Sequence, residues 1–243
     1  MYKDFILPDF NNCILNISAT IAEFLGCENK NAILPVIENE LAKKYKNVVY
    51  LVFDGLGIYP IQKNLDKNDF LRKNIKHKLV STFPSTTTTA TTTIYQNKCP
   101  LEHGWFGWSV YFPSVEKCVD VFLDTNAWTG EKLQITQRPI DECGFFFEHA
   151  NTDYQINSVL PKYVKTNRPE TNNVYEGFDE FFDNIKRICN RDTKQFCFGY
   201  FPEPDHTMHE EGVTSEKSKK LIQKISSDVK ELANMDVRHA FKI

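Results

Sequence analysis

The chain has 243 residues, 41% hydrophobic and 13% aromatic, enough to bury a substantial core as one α/β domain or two small ones. Its 29 basic and 32 acidic side chains leave a formal charge of -3, spread rather than blocked. That argues against a polyanion-binding stripe and a disordered acidic tail, so no structural nucleic-acid partner is expected.

Seven cysteines (Cys13, Cys27, Cys99, Cys118, Cys143, Cys189, Cys197) stand singly, with no CxxC pair. This speaks against a disulfide framework and a cysteine zinc site, and for a reducing compartment. The N-terminal "MYKDFILPDFNNC" has acidic residues and Pro8 where a secretory signal needs an unbroken apolar stretch. No apolar run reaches the roughly 18 residues of a membrane span. A cytoplasmic location without a membrane partner is expected.

Ile17, Ile21, Phe24 and Leu25 recur at helical spacing, as do Val36, Ile37, Leu41 and Tyr45, so two helices should precede the first strand. "NVVYLVF", Asn47 to Phe53, reads as a buried parallel strand broken by "DGLG". "HKLVST", His77 to Thr82, reads as a second strand and "FPS" as a turn. The threonine-rich stretch Thr86–Thr93 admits three readings: a linker, a β-branched strand, or the mouth of an active site. Propensity alone would extend the strand. Hydroxyl residues after a proline turn also open helices in βα units, and the helix start is the preferred reading.

Residues 110–170 read as an excursion that walls the site, with "TNRPETNN" as loop. Phe178, Phe181, Phe182, Ile185 and Ile188 mark an amphipathic helix, and "QFCFGYF", Gln195 to Phe201, another buried strand. Leu221, Ile222, Ile225, Val229 and Leu232 mark a last helix capped by Thr214 or Ser215. The order implies a single α/β domain over residues 1–243, its sheet carrying helices on both faces.

Three polar features fall at the carboxyl ends of expected strands, where open α/β sheets place their sites: Asp54, the threonines, and Asp205 with His209. Asp and His are donors for zinc or a similar divalent ion, and such an ion can turn a threonine hydroxyl into a nucleophile. Each feature alone is more often bland. Asp-Gly is usually a turn, a threonine run a capped helix start, and D-x-x-x-H a solvated surface.

Together, "VFDGLG", "FPSTTTTATTT" with "CPLEHGWFGW", and "YFPEPDHTMHEEG" resemble the type I phosphodiesterase/nucleotide pyrophosphatase group of the alkaline phosphatase superfamily, from about Asn47 to Leu232. The resemblance implies an alkaline-phosphatase-like sheet and hydrolysis of phosphodiester or nucleotide pyrophosphate bonds through a covalent phospho-threonine. It also implies two divalent ions, zinc first with manganese or magnesium as alternatives, and a small phosphorylated substrate such as a nucleotide. On it, Asp54, Asp205 and His209 are metal ligands, and Thr87 is both nucleophile and ligand, with Thr86 second and Thr82 third. Met208 replaces the family's frequent glycine, and Trp108 stands where the phosphodiesterase branch carries an asparagine.

The superfamily's further Asp-His pair has no match, so the chain is expected to lack the C-terminal strands that complete the sheet and one ion site. Asp236 and His239 offer a substitute, with a solvated tail the better reading. A phosphomonoesterase, phosphonate hydrolase or phosphotransferase on the same core, and an inactive fragment or binding module, are the alternatives.

Overall fold

The structure, a computed structural model, describes residues 9–133, 144–164 and 169–235. They divide between two compact units, one of residues 1–38, 79–152 and 163–168, the other of 39–78, 153–162 and 169–243.

The second unit is built on β1 (Asn47–Phe53), the strand expected from its β-branched run. It pairs in parallel with β7 (Gln195–Phe201), Asn47 opposite Gln195 and Phe53 opposite Phe201. Next come β5 (Gln155–Pro161) and β6 (Asn172–Tyr175), giving a parallel sheet of order β1-β7-β5-β6. The helix expected at Phe178 is α7 (Phe178–Cys189). Its Phe181, Phe182, Ile185 and Ile188 pack with Val159, Cys197 and Phe201 of the sheet, joined by Val49, Leu51 and Phe53. A Cβ on Gly199 would lie 2.7 Å from Leu51 Cδ2 and 3.0 Å from Phe181 Cζ, so glycine there lets the helix sit close.

The last helix is α9 (Glu216–Asn234), capped by Ser215, whose hydroxyl accepts the Ser218 N–H at 3.1 Å. It places Val229 and Leu232 on the same core as α7. Two short helices after β1, α3 (Ile58–Asn64) and α4 (Phe70–Lys73), and α8 (Asp205–Glu211) after β7 went unforeseen.

In the first unit, α1 (Ile14–Phe24) and α5 (Thr87–Gln96) are joined by the Ser18 hydroxyl, which donates to the Ile94 carbonyl at 3.1 Å. The second expected helix, α2 (Pro35–Leu41), follows α1. The strand expected over His77–Thr82 reduces to one parallel bridge, Val80 with Cys13. The chain entering α1 takes both Val80 backbone bonds, Val80 N–H to Asn12 O and Ile14 N–H to Val80 O, each 3.1 Å, then turns into a helix and leaves no partner to extend the ladder.

Within 110–170, β2 (Ser109–Phe112), β3 (Lys117–Asp120) and β4 (Thr125–Asn126) form a small antiparallel sheet, while β5 in the same stretch belongs to the parallel one. Of the loop expected at "TNRPETNN", residues 166–168 lie outside the described residues, Pro169–Thr171 form a 3-10 turn, and the last two asparagines open β6.

Candidate active site

Asp54 is the first residue beyond β1, held by β7 and by the start of α8. Its N–H donates to Phe201 O at 2.9 Å, its carbonyl accepts the Asp205 N–H at 3.0 Å, and its Oδ2 accepts the Tyr200 hydroxyl at 2.9 Å. The next residue must be glycine on two counts. Gly55 has φ +72°, and a Cβ there would lie 2.9 Å from Cα, Cβ and Oδ1 of Asp205.

Asp205 opens α8 after the cis Glu203–Pro204 peptide. The Glu203 carboxylate accepts the Thr207 N–H at 2.9 Å, satisfying one of the donors that a helix start leaves open. One turn on, His209 Nε2 stands 3.4 Å from Asp205 Oδ2, with side chains 77% and 33% exposed. The structure thus brings Asp54, Asp205 and His209 together at the carboxyl ends of two paired strands, all within the second unit.

A carboxylate oxygen and an imidazole nitrogen one turn apart and open to solvent suit a divalent ion such as zinc, and supply two of the four donors of a tetrahedral site. The donor chemistry fits such an ion. Among the described residues no group of three or more His, Cys, Asp or Glu side chains is placed to hold one. Asp236 and His239 lie outside the described residues.

Thr87 belongs to the first unit, where it is the first residue of α5, and Thr86 is the N-cap, its side chain making no capping bond. Both are half-buried, whereas Thr82 is buried and its hydroxyl donates to Pro84 O at 3.2 Å. Thr91 donates back to Thr87 O at 2.7 Å, the one-turn return bond expected of helical threonines. Thr88, Thr89 and Thr92 are fully buried, and their hydroxyls have no hydrogen-bond partner.

"CPLEHGW" explains itself locally. Cys99 caps α6 (Pro100–His103), its N–H donating to Glu102 Oε2 at 2.8 Å, and Gly104 ends the helix at φ +73°. His103 orders the turn: its Nδ1 accepts the Trp105 N–H at 3.1 Å and its Nε2 meets Thr93 Oγ1 at 3.0 Å. Since Nδ1 is an acceptor, the neutral ring carries its proton on Nε2 and donates it to Thr93. Burial pushes its pKa from 6.5 to about 4.

Sequence reasoning missed Tyr200 and Glu203. The only available signal was a tyrosine in an otherwise apolar strand, whose buried hydroxyl needs a partner.

No helix among the described residues is long and apolar enough to cross a membrane. No curated protein matches the chain. A family model does match, over residues 48–235, from β1 through α9, and a parallel sheet flanked by helices agrees with the alkaline-phosphatase-like fold of that family. Its members are hydrolases, generally metal-dependent, that act on small phosphorylated substrates such as nucleotides. With the motifs and strand ends described above, this match makes the chain a member of the type I phosphodiesterase / nucleotide pyrophosphatase family.

Proposed function

We propose that the chain hydrolyses phosphodiester or nucleotide pyrophosphate bonds with divalent metal ions, passing the phosphoryl group through Thr87. The backbone bond that sets Asp54 beside Asp205 past the ends of β1 and β7, with His209 one turn on from Asp205, carries this reading. Two divalent ions, zinc first with manganese or magnesium as alternatives, would neutralise phosphoryl charge and ease deprotonation of the attacking hydroxyl. Asp205 and His209 would hold one of them, and Asp54 contributes a carboxylate to the same region.

Thr87 Oγ1 attacks phosphorus, its proton passes to solvent, and the P–O bond to the leaving alcohol or nucleotide breaks. Water then cleaves the threonine ester, which restores the hydroxyl and releases the phosphate product. The first amides of α5 suit the anionic group. Half-burial at a helix start favours Thr87 over the buried, committed Thr82, with Thr86 the second candidate. Six described cysteines are free, which supports a reducing, cytoplasmic setting.

Hydrolysis of bis(p-nitrophenyl) phosphate and p-nitrophenyl phosphate, with zinc or manganese, tests the reading against Thr87→Ala and Asp205→Ala. Diester turnover that both substitutions remove is expected. A faster monoester reaction would overturn the diester assignment, and turnover unchanged in Thr87→Ala would overturn the covalent route. The small donor set among the described residues favours a second reading, a phosphate-ester binding module. Equilibrium binding of a nucleotide without any Thr87-dependent turnover is its signature.

A further inference from the structure

We infer that Tyr200 is a positioning residue for Asp54, orienting the carboxylate for a divalent ion; this rests on the metal-dependent reading above. Tyr200 lies opposite Val52 in the β1–β7 register, two positions before Asp54 in β1's direction, so its ring runs forward along the sheet to the strand end. The side chain is buried, and a buried phenol needs a partner. That partner is Asp54 Oδ2 at 2.9 Å.

A hydroxyl donating to a carboxylate is a charge-assisted bond, stronger than one between neutral groups, and it fixes the carboxylate plane. Tyr175, also buried, donates its hydroxyl to Tyr200 O at 2.8 Å, a bond to the backbone of a strand already held by its ladder with β1. Asp54 itself is pinned through its N–H and carbonyl by Phe201 and Asp205. The carboxylate is therefore oriented before any ion arrives, and Tyr200 anchors it to β7. Hydrogen bonds to ligating carboxylates typically govern metal affinity by 10–100-fold.

The test is Mn²⁺ titration of the full chain followed by electron paramagnetic resonance, with melting temperature recorded alongside. Tyr200→Phe removes one oxygen and keeps the ring. It is expected to weaken Mn²⁺ binding by about 10–100-fold. Tyr175→Phe removes a comparable buried hydroxyl, one that donates to a backbone carbonyl and not to Asp54, and is expected to lower the melting temperature without changing Mn²⁺ affinity. Equal Mn²⁺ affinity in Tyr200→Phe and the unsubstituted chain overturns the inference, as does equal weakening in the two tyrosine variants. Asp54→Asn separates the failures. If it weakens binding and Tyr200→Phe does not, the positioning role falls and the metal reading stands. If Asp54→Asn changes nothing, or the unsubstituted chain binds no Mn²⁺, the metal reading falls and takes this inference with it.

Discussion

The strand ends that carry Asp54 and Asp205 and the threonine helix α5 solve opposite problems. At the strand ends the candidate groups are held by named bonds: Asp54 by Phe201, Asp205 and Tyr200, and the start of α8 by Glu203. In α5 hydroxyls are in surplus. Thr91 and Thr93 have partners, Thr88, Thr89 and Thr92 are buried without any, and only Thr86 and Thr87 sit half-buried at the helix start. In one region bonds hold the candidate group in place, and in the other burial withdraws every threonine of the helix but the two at its start.

The sharpest way to break this comparison is Thr87→Ala. Its loss of turnover should be at least about a thousand-fold, the scale seen when a covalent nucleophile is removed. Thr88→Ala should leave the chemical step within about threefold, because a buried hydroxyl cannot reach substrate. Equal losses in initial-rate assays of the two variants would mean that burial does not select the nucleophile.

A second test uses acid. The folded His103 ring, at about 4, binds a proton less readily than the unfolded one at 6.5. Its contribution is therefore complete above about pH 6.5 and is lost as pH falls toward 4, by ~2–3 kcal/mol in all. Thermal melts of the chain and of His103→Gln should diverge in pH dependence across that window and run parallel above it.

Gly55→Ala probes the strand-end side. The left-handed backbone and the close approach of Asp205 should together cost about 2–3 kcal/mol, read as a fall in melting temperature. Smallest are the threonine swaps. Thr92→Val removes an unpartnered buried hydroxyl and should stabilise by about 1 kcal/mol, whereas Thr91→Val loses a bond to Thr87 O and should destabilise by about as much, both in urea unfolding.

What was legible in the sequence follows the same division. β1 and β7 announced themselves through uninterrupted apolar runs, and the candidate residues at their ends through abrupt Asp-Gly and Pro-Asp breaks. β5 and β6 did not, because Gln155, Asn157 and Ser158 fell within the excursion and Asn172 and Asn173 read as loop. In the fold these polar groups satisfy one another and their neighbours: Asn157 donates to Gln195 Oε1 at 3.0 Å and accepts from Arg191 at 2.8 Å, and Ser158 donates to Asn172 Oδ1 at 3.1 Å. Such partners exist only once the strands have paired, so no local pattern reveals them. The strand expected at His77–Thr82 failed for the converse reason: a β-like run whose neighbour turned into a helix.

The bond from Tyr200 to Asp54 spans 146 positions, and Asp205 lies further still along the chain from the Gly55 turn it packs against. The turn after β1 therefore has no template until β7 is synthesised and docked. A ribosome-bound chain that has emerged only as far as α5 already displays its threonines, while Asp54 still lacks the Tyr200 hydroxyl, the Phe201 carbonyl and the Asp205 amide. Order at the strand ends arrives in one step, with the pairing of β1 and β7, so the growing chain holds the Asp54 carboxylate in no fixed direction before its sheet exists.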